Sequence, residues 1–217
     1  MASTYSSLKI ELIGTGDQAG TWGATTNTNL GTAIEEAITG SANVTFASSN
    51  AAIALTDTNA AQTARNLRLN LVGTLSNVQT LFVPAIEKQY LVTNGLSNSV
   101  IISNGTNAAP TGTTVTVPTG KSVILFNDGT NVAESINYVS NLSLGTALTP
   151  SNGGTGLANI TYGSVMVGNN TGTVTLVAPG TANNVLTSNG THWISQASSG
   201  GGITTGKSIA MAMIFGF

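Results

Sequence analysis

Residues 201–208 read GGITTGKS, a full match to G-x-x-x-x-G-K-[ST]. In that pattern backbone N–H groups cradle phosphates, the lysine (here Lys207) reaches the terminal phosphates and the hydroxyl (Ser208) coordinates Mg²⁺. The chemistry needs a buried strand before the loop, a helix after it and an acid for the metal. The preceding SQASSGG has the composition of a flexible linker, the following IAMAMIFGF is nine residues long, and the last acid of the chain is Glu134. Residues 201–208 are therefore expected to bind no nucleotide, and to be a linker entering a terminal segment.

Other chemistry-bearing residues are as thinly supported. His192 is the only histidine, so a zinc cluster is not expected, and its NGTHW setting beside Trp193 reads as a turn rather than a triad. Glu35 and Glu36 are adjacent on a helix and point in different directions, whereas glycoside hydrolysis needs two carboxylates facing one another, so a solvated helix face is the expected reading. Asp17 and Asp128 fall in Gly-rich turns, where Asp is expected for its local hydrogen bonding. GTGDQAG is one residue too long for the dinucleotide fingerprint. Trp22 could stack on a sugar, but a single loop aromatic more often anchors its loop. No enzyme activity, cofactor or metal is expected.

The elements around these residues are mostly strands. SLKIELI alternates Leu8, Ile10 and Leu12 with Lys9 and Glu11, as a half-buried strand does. NLGTAIEEAITG places Leu30, Ala33, Ile34, Ala37 and Ile38 at helical spacing, with Glu35 and Glu36 on the other side, Asn29 as N-cap and Gly40 at a left-handed C-terminal position. A short turn is predicted at NAAQTAR. RLNLV (Leu67, Leu69, Leu71 on one face), TLFVP, KQYLV, SVIIS, TTVTV and SVILF then come at short intervals. Asn94-Gly95, Asn104-Gly105 and Asp128-Gly129 favour the positive φ of hairpin turns, which predicts an antiparallel sandwich or barrel-like domain over 43–138.

The charge pattern divides the chain further. Of 217 residues only 6% are charged, against about 25% in ordinary globular domains, and the net charge is −2. No basic footprint for nucleic acid is present. The last 83 residues carry one formal charge, Lys207. Over 139–196, short apolar runs are interrupted by Gly, Pro and Asn, so one copy could hardly bury a useful core, and pooling with identical chains is the expected solution. There is no cysteine, the N-terminus lacks the pattern of a signal peptide, and the apolar C-terminus is shorter than the ~20 residues of a membrane span.

The order of these segments carries a resemblance. The opening MASTYSSLKIELIGTGDQAGTWGATTNTNLGTAIEEAITG, with its Trp22 loop and Ile/Ala helix, resembles the N-terminus of tail-fibre and related virion proteins of tailed phages infecting marine bacteria. IALTDTNAAQTARNLRLNLVGTL through VILFNDGTNV is similar to the domain that comes next in them. TPSNGGTGLANITYGSVMVGN…NNVLTSNGTHWIS resembles a module common in phage fibres, and GKSIAMAMIFGF a C-terminus of such proteins. The resemblance implies a mainly β, non-enzymatic, homotrimeric virion component, assembled in the host cytoplasm. Its expected partners are itself, other tail or virion proteins, and a host surface glycan or protein receptor. No nucleic acid and no membrane span are expected. The chain divides into four regions on this basis: 1–42 for virion attachment (Trp22, Leu30, Ile34, Ile38), 43–138 as a β-sandwich-like domain, 139–196 as an intertwined trimeric β fibre module with a core of Leu157, Ile160, Val165, Val167, Leu186 and Trp193, and 197–217 as linker and apolar tail. Deleting residues 1–40 is expected to leave the β-domain folded. The chain departs from the family in being short, without a long repeat array, coiled coil or evident receptor-binding head. Short fibre, fibre base, adaptor, capsid decoration protein and carbohydrate-binding spike therefore all stay open as places for it.

Overall fold

Alternating apolar residues need a second apolar surface to cover them, and in this chain that surface is a second sheet. The structure, a computed structural model, describes residues 2–106, 109–170, 172–198 and 205–216. The chain divides into two compact units, Met1–Val139 and Ser140–Phe217.

The first unit opens with a small antiparallel pair, β1 (Thr4–Tyr5) with β2 (Glu11–Leu12). A helix then runs through three consecutive segments: α-helical Trp22–Thr28, π-helical Asn29–Ile34 and α-helical Glu35–Thr39. Seven strands come next: β3 (Ser41–Ala47), β4 (Ala51–Ala52), β5 (Arg68–Thr74), β6 (Gln79–Val83), β7 (Glu87–Asn94), β8 (Val100–Asn104) and β9 (Thr111–Val117). The last two strands of the unit are β10 (Ser122–Asp128) and β11 (Val132–Glu134), and a 3₁₀ turn at Thr63–Arg65 precedes β5 where NAAQTAR predicted one.

Two sheets result, with strand orders β11-β10-β7-β5-β3 and β4-β6-β8-β9. The core between them takes Val44, Phe46, Leu69, Leu71, Tyr90, Val92 and Leu125 from the first sheet and Leu81, Val83, Val100, Ile102, Val115 and Val117 from the second. The molecule is mainly β with an N-terminal strand and helix, as the residue pattern indicates. The pairing is mixed rather than antiparallel throughout. From β3 to β8 the chain passes alternately from one sheet to the other, so β3-β5-β7 and β4-β6-β8 are parallel. It then reverses: β9 lies antiparallel to β8, and β10 antiparallel to β7. Parallel neighbours need a long crossover, and here the intervening strand of the opposite sheet supplies it. Apart from the stretch 53–67 between β4 and β5, the connections are short in sequence and so resemble hairpin loops.

Asn94-Gly95 accordingly is a corner between sheets. The fully buried Asn94 amide donates to the carbonyls of Asn98 and Val117, both at 2.9 Å, and accepts from the Leu96 N–H at 3.0 Å. Asp128-Gly129 is the hairpin expected, joining β10 to β11, with the Asp128 carboxylate receiving the N–H groups of Thr130 and Asn131. Those two bonds, the Asn131 one first, hold the Asp128 carboxyl below its ordinary range. At Asn104-Gly105 the preceding strand is fixed by a buried reciprocal amide pair: Asn104 and Asn127 each donate to the other at 2.9 Å.

The N-terminal helix departs from the expected one in three ways. It begins at Trp22, so Asn29 lies inside it, and its amide instead clasps β2, accepting from Glu11 N–H at 3.1 Å and donating to Glu11 C=O at 2.8 Å. Gly40 is extended (φ −63°, ψ 146°) and is required for closeness, since a Cβ there would lie 2.4 Å from Asn66 Oδ1 and 2.5 Å from Glu36 O. Glu36 is not on a solvated face: its carboxylate bonds Arg65 Nη1 at 3.0 Å.

Arg65 is fully buried. Besides Glu36, it donates to the carbonyls of Leu8 (2.9 Å), Lys9 (3.2 Å), Thr58 (2.8 Å) and Ala60 (2.9 Å). Residues 1–40 thus supply three of its acceptors. Deleting residues 1–40, expected to leave the β-domain folded, would remove these three acceptors from the guanidinium and so should lower the stability of that domain.

The second unit contains two hairpins, β12 (Val165–Val167) with β13 (Thr175–Val177) and β14 (Asn184–Ser188) with β15 (Trp193–Ala197), a 3₁₀ turn at Pro150–Asn152 and a C-terminal helix Thr205–Phe215. Among its described residues not one hydrophobic side chain is buried; the last buried one among the described residues of the chain is Val132.

Candidate functional site

Two hairpins of two strands each cannot enclose a core, because each strand pairs on one side only. Between them they leave an open groove of about 880 Å³, with Val167, Leu176, Val177, Trp193 and Ile194 as apolar lining and Asn169, Thr175 and His192 among the polar residues. Trp193 remains 50% exposed. A smaller hollow of about 150 Å³ beside it collects Val165, Val177, Val185 and Leu186.

Of the residues expected in a trimer core, Val167 and Trp193 line the large groove, and Val165 and Leu186 the small one. Leu157 is half-buried in a separate hollow with Leu144, and Ile160, 49% exposed, belongs to none of these. On the N-terminal helix Trp22, Leu30 and Ile38 are all more than half exposed, while Ile34 is half-buried. Ala33 is its one fully buried residue.

The nucleotide-type motif is only partly visible. Residues 201–204 lie outside the described residues; Gly206, Lys207 and Ser208 sit at the start of the C-terminal helix. The strand before them, β15, belongs to an exposed hairpin rather than a buried sheet. Among the described residues no cluster of three His, Cys, Asp or Glu is placed to hold a metal.

One chemically notable group belongs to no motif. Lys88 is 7% exposed and points inward from β7, its Nζ 4.9 Å from the centre of the Tyr90 ring. Burial lowers its pKa to about 8. The strand period itself carries the signal, since Lys88, Tyr90 and Val92 share one face of KQYLV. Burial also pushes the Tyr90 phenol above its ordinary range, and its hydroxyl donates to Ala64 O at 3.0 Å.

Lys88 makes stability depend on pH with a fixed sign. A lysine with a depressed folded-state pKa binds its proton less readily folded than unfolded, so its penalty is full below pH 8 and fades as pH rises from about 8 toward 10.5. Lys88→Met, which keeps the length and removes the charge, is expected to raise stability at pH 7 by about 1–2 kcal/mol. It should also flatten the rise between pH 8 and 9.5, below the range in which Tyr90 titrates. Urea melts of both proteins across that interval check this; equal slopes would show that the amine is solvated in the folded state.

The hairpin groove sets apolar Val167, Leu176, Val177, Trp193 and Ile194 beside polar Asn169, Thr175 and His192 on one open surface. Comparison with known protein families, with curated protein sequences and with solved structures finds no match.

Proposed function

We propose that the chain is a non-enzymatic structural component of a phage virion: a homotrimeric tail fibre or fibre base, attached to the tail and contributing to host adsorption. One observation carries this reading. Among the described residues, all the buried hydrophobic side chains lie at or before Val132, whereas the unit 140–217 leaves its apolar residues exposed or half-buried and holds a single charge. A folded domain followed by an uncharged segment that cannot close its own core is the design of a protein completed by copies of itself. The resemblance of the ordered segments to phage fibre proteins supplies the setting. In that setting the exposed Trp22, Leu30 and Ile38 of the N-terminal helix, with the half-buried Ile34, serve for attachment to other tail proteins.

Cryo-EM of purified particles, combined with light scattering on the isolated protein, tests the proposal. Expected are three copies per site at the tail and a mass three times 21.8 kDa in solution. Density on the capsid surface would favour a decoration protein. Absence from particles, or a stable monomer at all concentrations, would overturn the reading.

A further inference from the structure

Between the last strand of the first unit and the hairpins of the second lies INYVSNLSL, residues 136–144. Its apolar residues Ile136, Tyr138, Leu142 and Leu144 fall on even positions; Asn137, Asn141 and Ser143 fall on odd ones, with Val139 and Ser140 the exceptions. That is the two-residue period of a strand with one buried face. Yet the segment forms no strand, makes no hydrogen bond among the described residues, and every residue in it is exposed. Tyr138 is 80% exposed and Leu142 68%. A flexible linker has a different composition, Gly- and Ser-rich and without an apolar face.

The hairpins have the complementary deficiency. Each is a two-stranded ribbon with free edges, and such ribbons become stable when a third strand or another layer joins them. The groove between them is apolar along Leu176, Val177 and Ile194. Neither the segment nor the groove carries a formal charge, so a backbone-paired strand could enter without desolvating an ion.

We infer that residues 136–144 of one copy pair as an added strand with the hairpin groove of a second copy, placing Tyr138 and Leu142 against Leu176 and Trp193. Repeated around a closed ring, the exchange uses each copy once as donor and once as acceptor, so the assembly terminates rather than growing. It rests on the self-associating reading above and adds the contact by which the copies interlock.

The test uses the full chain carrying a photoreactive benzoyl-phenylalanine at position 138, 142 or, as the opposite-face control, 141. Light and heavy-isotope chains are mixed by denaturing and refolding together. Irradiation at 138 or 142 is expected to join light to heavy chains, with the cross-link mapping to 165–195, and to exceed that from 141 by roughly tenfold, the factor that burying one large apolar side chain supports. Hydrogen exchange on the unmodified protein should show amides of 136–144 protected at high concentration and exposed on dilution. A trimer by light scattering whose 136–144 amides stay unprotected, or whose cross-links join light only to light, would overturn the strand exchange alone. A monomer by light scattering would overturn the trimer reading with it.

Discussion

Replacing Arg65 by Met is expected to lower the stability of the first unit by about 3–5 kcal/mol, the range for removing one partner of a buried ion pair. Arg65 has no exposed surface, and its planar head satisfies groups that come from three stretches of chain: Leu8 and Lys9, Glu36, and Thr58 with Ala60. Methionine fills similar volume but donates nothing. The Glu36 carboxylate would retain the N–H of Gln62, at 3.1 and 3.2 Å from its two oxygens, and lose its counter-ion. Total stabilities of domains are about 5–15 kcal/mol, so the variant should unfold at a much lower urea concentration or fail to accumulate. Glu36→Gln, which keeps an acceptor for Arg65, should cost about 1–2 kcal/mol. Urea unfolding followed by far-UV circular dichroism measures both. A midpoint for Arg65→Met equal to that of the parent would mean that the N-terminal segment and the β-domain are not joined through this residue.

The second large effect concerns residues 140–217 expressed alone. That fragment is expected to have no protease-resistant fold at low concentration. Its described residues include no buried hydrophobic side chain, and even a well-built core in a chain below about 70–80 residues supplies only ~3–5 kcal/mol. With no cysteine, disulfides cannot compensate. On the proposed trimer reading, the same residues of the intact protein should resist protease at high concentration, because three copies would then pool Val165, Val167, Leu186 and Trp193. Limited proteolysis across a dilution series gives the comparison. A fragment that resists cleavage as a monomer would show that its two hairpins fold without partners.

Part of this architecture was legible in the residues themselves. The alternation in RLNLV marks Leu69 and Leu71 as core, and both are fully buried on β5. NAAQTAR forms its single turn, and Asp128-Gly129 its hairpin, because those conformations are set by a few neighbouring side chains and a positive φ. The short, charge-poor apolar runs after residue 139 indicate a segment without a core, a property of composition that needs no knowledge of topology.

The features that only the tertiary structure decided are those that join distant stretches. Short strands with tight connections suit a hairpin and a step between sheets equally well, and the passage from sheet to sheet that makes β3, β5 and β7 parallel depends on where the opposite sheet lies. Asn29 has the chemistry of a cap, yet β2, 18 residues away in sequence, claims its amide. Gly40 looks like a left-handed terminus and is instead a point of close approach, because Asn66 and the Glu36 carbonyl press against it. Glu36 and Arg65 are 29 positions apart, and nothing within helical periodicity distinguishes the half-buried Glu36 from the exposed Glu35. Local propensity and period act over a turn of helix or a pair of strands. A buried charge is decided by its partner, and here that partner comes from elsewhere in the chain.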